Sequence, residues 1–375
     1  MRQDDRTTND SANPGGIEGT GNRQSARENV MRYVGKCAGA LAGSVLMGMT
    51  HGALAQPGKK FVVGVSNTLI GNGWREEMIC SIKAQAKVSG VVSKLILANR
   101  NGGPPEQIAD LRNLISAGAN AIIVNPSSRD ALNPVIKQAA ARGIVVVAVD
   151  QAVSAPEAYV VSNDQVAYGK LGATWLFEDL HGQGNVVEMR GIDGVPADSD
   201  RHQGFEAALR QYPNIKVVAT TFTGWALNTT SKQIHDLIAS GKSIDGIWTS
   251  GLDAVVVDAY QTTHKKFVPV VGADNNAFIG QLIGLKSGGL TGVAVTNPAS
   301  VGGAGLAVAL DVLQHKPQPH VIKLTPQLWP NTTAAGLEQL KREYNPKLDP
   351  YYSVATEVKP YTTYTTPEIV ACQGP

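Results

Sequence analysis

Phe61–Ser66 (FVVGVS) is an unbroken apolar run, and Asn72-Gly73-Trp74-Arg75 (NGWR) follows it at the start of an amphipathic segment. The run is typical of a buried β-strand, and the spacing of apolar residues over Trp74–Ser89 predicts a helix. A strand followed by a helix is the repeating unit of a parallel α/β sheet. Ligands of such sheets bind beyond the carboxyl ends of the strands. The stretch therefore predicts an α/β fold with an amide, an indole and a guanidinium at a ligand-binding edge.

The same alternation of strand-like and helical patterns continues along the 375 residues of the chain. In the first half the strand-like runs are Phe61–Ser66, Lys94–Ala98, Ala121–Val124 and Ile144–Val149. After a restart at Gln165 they are Asn185–Met189, Val217–Thr221, Gly246–Thr249, Val268–Gly272 and Gly292–Thr296. The number of these strand–helix units exceeds what a single sheet usually contains. We therefore predict two similar Rossmann-like lobes, each built on a parallel sheet.

The first 55 residues do not resemble part of this fold. Residues 1–30 are polar and lack large apolar side chains, which is typical of a disordered segment. Met31–Ala55 combines a basic start, an apolar stretch and a small-residue cleavage site, as in a secretory signal peptide. Its apolar stretch is too short for a permanent membrane span. Met31 is then the expected start of translation; the alternative is that residues 1–30 are an authentic extension.

Removal of the signal would leave two cysteines, Cys80 and Cys372, because Cys37 leaves with it. Two cysteines in an exported protein favour a disulfide, which would pin the C-terminal tail to the first helix. The alternative is a buried free Cys80 and an unpaired Cys372.

Polar residues recur where predicted strands end. They are Ser66, Asn125, Asp150 with Gln151, Asp274, and Thr296 with Asn297. Each alone has a plain explanation as a turn residue. Their recurrence in both halves indicates one cleft between two lobes that face each other through these ends.

Composition and motifs argue against several functional classes. The net charge of +2 gives no indication of a nucleic-acid partner. Gly241-Lys242-Ser243 ends like a phosphate loop, but Asp236 occupies the position of the first glycine of that motif. The histidines and cysteines lack metal-ligand spacing, so we expect neither a metal nor a cofactor.

Five short segments carry a resemblance to a known family. They are Ile122–Ser127 (IIVNPS), Val147–Asp150 (VAVD), Gly191–Gly194 followed by Arg201–Phe205 (RHQGF), and Val270–Asp274 (VVGAD). In order and spacing they resemble the substrate-binding proteins of bacterial sugar ABC importers, in the ribose- and galactose-binding group. The resemblance covers roughly residues 58–325.

This resemblance implies a set of ligand contacts. By position they fall on Asn72, Trp74, Asn125, Asp150, Arg201, Trp225 and Asp274, and we add Arg75, Gln151 and Thr296. Carboxylates accept hydrogen bonds from sugar hydroxyls, arginines donate to them, and tryptophans cover the apolar faces of a ring. Trp74 and Arg201 also have plainer explanations, as a core residue and as a solvated helix charge.

Departures from the family pattern leave the sugar open. Gly251 stands where many relatives carry a ligand-binding Asn, and Gln151 stands where ribose-specific members carry Arg. The Trp74-Arg75 pair instead resembles members that bind furanose sugars or sugar alcohols. We expect no enzymatic activity; the catalytic alternative is a glycosidase that uses Asp150 and Asp274 as its acid/base pair.

The resemblance also implies an organisation and partners. The chain would cross between lobes at Ser162-Asn163, Asn297-Pro298 and Gln318-Pro319, which gives a three-strand hinge. The N-terminal lobe would then comprise 58–162 and 298–318, the C-terminal lobe 163–297 and 319–330, and the tail 331–375. The expected protein is a periplasmic monomer that delivers a monosaccharide or polyol to a membrane permease. A sensing role in chemotaxis or signalling remains compatible with the same fold.

Overall fold

A computed structural model describes residues 60–375, which contain two six-stranded sheets. The first sheet has the order β11-β5-β4-β3-β1-β2, and all its pairings are parallel. Its strands are β1 (Phe61–Asn67), β2 (Val92–Asn99), β3 (Ala121–Val124), β4 (Val145–Asp150), β5 (Tyr159–Asn163) and β11 (Val321–Leu324). The helices on its faces are α1 (Gly73–Ser89), α2 (Pro104–Ser116), α3 (Asn133–Ala140) and α9 (Val301–Leu313). Together they form the N-terminal lobe.

The second sheet has the order β12-β10-β9-β8-β6-β7, and only β12, at one edge, is antiparallel to its neighbour. Its strands are β6 (Gln183–Arg190), β7 (Asn214–Phe222), β8 (Gly246–Thr249), β9 (Val270–Ala273), β10 (Gly292–Val295) and β12 (Leu328–Pro330). The helices of this C-terminal lobe are α4 (Gln165–Asp179), α5 (Pro196–Leu209), α6 (Leu227–Ala239), α7 (Asp253–Thr262) and α8 (Asn276–Gly284). The predicted two-lobe α/β architecture is confirmed.

Each sheet is covered on both faces, which explains why its central strands are continuous apolar runs. Every residue of β3 and of β8 is buried. In each lobe, separate buried clusters of Val, Ile, Leu and aromatic side chains fill the two sides of the sheet. Burying both faces holds the strands rigidly, so the side chains at their carboxyl ends have fixed positions.

The third crossing between the lobes lies later than the family resemblance implied. We expected it at Gln318-Pro319, with residues 319–330 in the C-terminal lobe. Val321–Leu324 instead pairs in parallel with β5, in the first sheet. The chain therefore crosses at residues 325–327, between β11 and β12. The free edge of β5 offers unpaired backbone groups, and the short strand after Pro319 satisfies them.

The C-terminal segment adds a fourth crossing. Its helix α10 (Ala334–Glu343) packs against α8 and β12, whereas α11 (Thr366–Ala371) packs against α1. Between these helices, Val354 lies in a core cluster of the C-terminal lobe and Val358 in one of the N-terminal lobe. The structure joins Cys80 to Cys372 in a disulfide, across a sequence separation of 292 residues. The tail is thus clamped to both lobes.

The predicted disordered segment at 1–30, the signal peptide at 31–55 and Cys37 lie outside the described residues. Within residues 60–375, no helix combines the length and apolar character needed to cross a membrane.

Candidate functional site

A cleft of about 640 Å³, including the part that opens to solvent, lies between the carboxyl ends of the two sheets. Ligand sites of open α/β sheets lie at this position, beyond the carboxyl ends of the strands. Most of the residues singled out from the sequence line it, namely Asn72, Trp74, Arg75, Asp150, Arg201, Trp225 and Asp274. The cleft is therefore the candidate ligand site.

The NGWR turn forms one wall of the cleft. Asn72 is the N-cap of α1, and its side-chain oxygen accepts a hydrogen bond from the Arg75 backbone N–H at 3.0 Å. The buried Arg75 guanidinium donates to Asn67 Oδ1 at 2.9 Å. Trp74 Nε1 donates to the Asn297 carbonyl at 2.6 Å. The cap and these bonds fix the side chains of Trp74 and Arg75 at the junction between β1 and α1.

Asp150 ends β4 in a left-handed backbone conformation, with φ of 66°. Gln165 Nε2 donates to its Oδ1 at 2.9 Å. Asn125 and Gln151 lie behind it: Asn125 Nδ2 is 3.5 Å from Asp150 Oδ2, and Gln151 Nε2 donates to Asn125 Oδ1 at 2.6 Å. These two residues thus support the carboxylate and do not themselves line the cleft.

Arg201 is the main cation of the opposite wall. Its Nε donates to Gln165 Oε1 at 2.8 Å, and its Nη1 donates to the Ser250 carbonyl at 2.8 Å. The guanidinium stacks on Tyr168, 4.1 Å from the ring centroid. A guanidinium has more N–H donors than these bonds use, so donors remain for a ligand.

Two glycines explain how Arg201 reaches this position. A Cβ at Gly169, on α4, would lie 1.9 Å from the Arg201 carbonyl oxygen, and one at Gly204, on α5, would lie 2.1 Å from the Val166 carbonyl oxygen. Only glycine permits such close backbone contact between α4 and α5. This contact brings Arg201 beside Gln165.

Trp225 covers another part of the same wall. Its Nε1 donates to the Ser250 carbonyl at 2.9 Å, so the indole N–H is satisfied by protein and the carbon face remains for a ligand. Trp225 and Leu252 also have positive φ angles of 50° and 66°. Backbone strain of this kind, here shared with Asp150, tends to concentrate at ligand-binding sites.

Asp274 follows β9 and is fully buried from solvent. Its Oδ1 accepts from the Asn297 backbone N–H at 2.9 Å, and its Oδ2 accepts from the Ser353 hydroxyl at 2.8 Å. Burial raises the pKa of Asp274 to about 6, although both hydrogen bonds and the charge of Arg201 oppose the shift.

The charges of the cleft are balanced. Burial lowers the pKa of Arg75 to about 10, with Asp150 acting against the shift and Arg201 adding to it. Burial also raises the pKa of Asp150, while Arg201 and Arg75 oppose this rise. Two arginines thus face two carboxylates, and all four side chains are buried. Within residues 60–375, no group of His, Cys, Asp or Glu side chains is arranged to hold a metal ion.

A family model described as the periplasmic binding protein domain matches residues 63–317. The chain belongs to this family. The resemblance inferred from the short segments is therefore confirmed, and the family consists of binding proteins.

Individual members of the periplasmic binding protein family resemble the chain at moderate identity. A xylitol-binding protein of Mycolicibacterium smegmatis is 31% identical over 58% of this chain and 62% of its own length. A ribose import binding protein of Bacillus subtilis is 24% identical over 69% of this chain and 83% of its own length. The crystal structure of an ABC transporter solute binding protein from Thermobispora bispora is similar with a TM-score of 0.71, at 28% identity over 81% of this chain and 92% of that one.

The two lobes touch directly around the cleft. Asn72 Nδ2 donates to the Trp225 carbonyl at 3.1 Å. Gln151 Oε1 accepts from the Ala197 N–H at 2.9 Å. These contacts hold the residues of both walls in one site.

The predicted set of ligand contacts lacks several residues that complete the site. Gln165 joins Asp150 to Arg201, and Asn297 bonds to both Trp74 and Asp274. Ser250 and Tyr351 line the cleft. Asn297 and Ser250 follow predicted strands, so their positions carried a signal, whereas Gln165 and Tyr351 carried none.

Thr296 lies on the hinge and not in the cleft. Its Oγ1 accepts from the Gln327 N–H at 2.9 Å, and its carbonyl accepts from Asn163 Nδ2 at 2.8 Å. The residue thus ties three crossings between the lobes together.

Proposed function

We propose that this periplasmic binding protein holds one neutral monosaccharide or sugar alcohol in the cleft and delivers it to the membrane permease of an ABC importer. The observation that carries the proposal is the pairing of buried arginines and carboxylates with two tryptophans in one small cleft. The relatives named for xylitol and ribose support this ligand class.

The polar groups of the cleft match the chemistry of a polyhydroxylated ligand. A hydroxyl both donates and accepts hydrogen bonds. Asp150 and Asp274 accept, whereas Arg75 and Arg201 donate, so one ring of hydroxyls can satisfy all four groups. Bonds to charged partners are the stronger ones, about 1.5–3 kcal/mol each.

Trp74 and Trp225 match the remaining surface of a sugar. Both indole N–H groups are bonded to backbone carbonyls, which leaves carbon faces toward the cleft. The C–H faces of a sugar ring or polyol chain pack on such surfaces.

Charge balance favours a neutral ligand. A sugar phosphate or sugar acid would bring a negative charge beside Asp150 and Asp274, in a site where burial already disfavours ionised carboxylates. A neutral sugar adds no charge to this balance.

Export follows from the same proposal. The Cys80–Cys372 disulfide is the kind of bond that persists in an oxidising compartment such as the periplasm. We infer that Met31–Ala55 is removed during export, so mass spectrometry of protein isolated from the periplasm should find Gln56 as its first residue. A periplasmic chain that retains residues 31–55 would contradict this inference.

Delivery would depend on closure about the hinge. A ligand that contacts both walls stabilises the closed arrangement, because only that arrangement satisfies both sets of contacts. The closed form would then be the form that docks on the permease.

The test is calorimetric titration of the exported protein with pentoses, hexoses and sugar alcohols. We expect at least one to bind, and expect Asp150→Ala and Arg201→Ala each to weaken binding by about 10- to 150-fold. Arg112→Ala removes an exposed arginine of α2 and should leave binding unchanged. A protein that binds none of these compounds would refute the proposal, and release of product from a glycoside would favour the glycosidase alternative.

A further inference from the structure

Tyr351 lines the cleft although it belongs to the C-terminal segment, which lies beyond the matched family region. It also lines a second cavity, a groove between α6 and α7 with a volume of about 760 Å³ including open solvent. Residues on the groove side include Asn228, Ser231 and Asp258. A side chain that borders both spaces stands at the boundary between them.

The backbone on either side of Tyr351 is fixed to the C-terminal lobe. The carbonyls of Pro350 and Tyr352 accept from the N–H groups of Ala277 and Asn276, at 2.8 and 2.9 Å. These donors are the first residues of α8, so the segment satisfies backbone groups that a helix start leaves free. Tyr351 is therefore held in register by its two neighbours.

Contacts with the N-terminal lobe fix the segment from the other side. The Ser353 N–H donates to Glu77 Oε2 at 2.6 Å. A Cβ at Gly73 would lie 2.5 Å from the Tyr351 Cβ, so the NGWR turn and Tyr351 are packed as closely as a glycine allows. Farther along, the disulfide at Cys372 holds the tail on α1.

We propose that Tyr351 is a specificity-determining residue that closes the cleft toward the α6–α7 groove and limits the ligand to a single sugar unit. This proposal rests on the proposed sugar binding. A ligand with a second unit would have to occupy the space that the phenol ring now fills. With the ring removed, the groove can receive the second unit, and its hydroxyl, amide and carboxylate side chains can bond to it.

The test compares Tyr351→Ala with the wild type on matched pairs of ligands. The probes are xylose, galactose and xylitol, each beside its singly glycosylated form: xylobiose, galactobiose and xylobiitol. The measured quantity is the ratio of the two dissociation constants in a pair. We expect Tyr351→Ala to lower the ratio for glycosylated over parent compound by about tenfold or more. Tyr351→Phe keeps the ring and should keep the wild-type ratio.

The ratio of dissociation constants distinguishes a boundary role of Tyr351 from a merely structural one. General loosening of the segment would weaken the binding of both ligands of a pair alike. Tyr351→Leu, which keeps part of the volume, should give an intermediate ratio. An unchanged ratio in Tyr351→Ala, with parent sugars still bound, would overturn this proposal and leave the proposed function intact. A wild type that binds no pentose, hexose or sugar alcohol of the wider panel would overturn both.

Discussion

Acidification from pH 7 to pH 5 is expected to weaken sugar binding through one carboxyl group, that of Asp274. This side chain lines the cleft and is fully buried from solvent, and burial raises its pKa to about 6. The ionised carboxylate accepts charge-assisted hydrogen bonds from ligand hydroxyls, and protonation removes that charge. The affinity for the sugar should therefore follow the fraction of Asp274 that is ionised.

The magnitude follows from the pKa. If the sugar binds only the ionised form, its dissociation constant is multiplied by about 1.1 at pH 7 and about 11 at pH 5 for a pKa of about 6. Affinity should thus fall about tenfold, or about 1.4 kcal/mol.

Stability of the ligand-free protein should change in the opposite direction. Because the pKa of Asp274 is raised from 3.8 to about 6 in the folded state, its protonation favours the fold, by about 3 kcal/mol. This contribution is fully present below pH 3.8 and is lost as the pH rises through about 6.

The assay is calorimetric titration at pH 7, 6 and 5 with the tightest-binding sugar of the panel. Asp274→Asn should bind weakly at every pH and lack the part of the pH dependence that Asp274 contributes. Ser353→Ala removes a hydrogen bond that lowers the pKa of Asp274, so the midpoint of the binding loss should move to higher pH. Asp150, Asp253 and Glu77, whose pKa values burial also raises, stay in place in both variants.

Equal wild-type affinity at pH 7 and pH 5, to within about twofold, would refute this reasoning. So would an Asp274→Asn variant that keeps the full wild-type loss, because the responsible group would then lie elsewhere.

Three further predictions address other parts of the structure. Replacing Cys80 and Cys372 with serine opens a loop closed across 292 residues, and should lower the free energy of unfolding in urea by about 2–4 kcal/mol; no change would mean that the tail does not constrain the unfolded chain. Gly191→Ala would place a Cβ 2.2 Å from the Trp225 ring, and should weaken sugar binding about tenfold in titrations while the circular dichroism is preserved. Arg129→Ala removes a partly exposed ion pair between the lobes, and should cost no more than about 1 kcal/mol of binding, an effect that high salt should reproduce in the wild type.

Local patterns were sufficient to predict the lobes but not every strand. Runs such as Ala121–Val124 are buried on both faces, so their composition alone marks them as central strands. Val321–Leu324 has a mixed pattern of exposure, and its place depends on which sheet edge is free. That choice is made between distant segments, so the third crossing was misplaced.

The site shows the same difference between what local patterns predict and what contacts between distant segments decide. Asp150 and Asp274 stand at strand ends, where the topology of a parallel sheet brings polar groups together. Tyr351 reaches the cleft only because its segment packs against α8 and against Gly73, which no local pattern records. Asn125 and Gln151 lie at strand ends too, but a pattern cannot distinguish a residue in the cleft from one that supports it from behind.

Gln165 shows how the two walls are coupled before any ligand is bound. It follows the first crossing directly, and its amide nitrogen donates to Asp150 in one lobe and to Asn297 at the second crossing, at 2.9 and 3.2 Å. The oxygen of the same side-chain amide, Oε1, accepts a hydrogen bond from Arg201 in the other lobe. A residue at the pivot moves least when the lobes rotate, so the Asp150–Gln165–Arg201 chain should persist in the open form. The cleft would then meet its ligand with one acceptor and one donor already oriented, and closure would mainly add Trp225 and the NGWR turn. The free-energy cost of closure is correspondingly smaller, because fewer side chains have to be ordered.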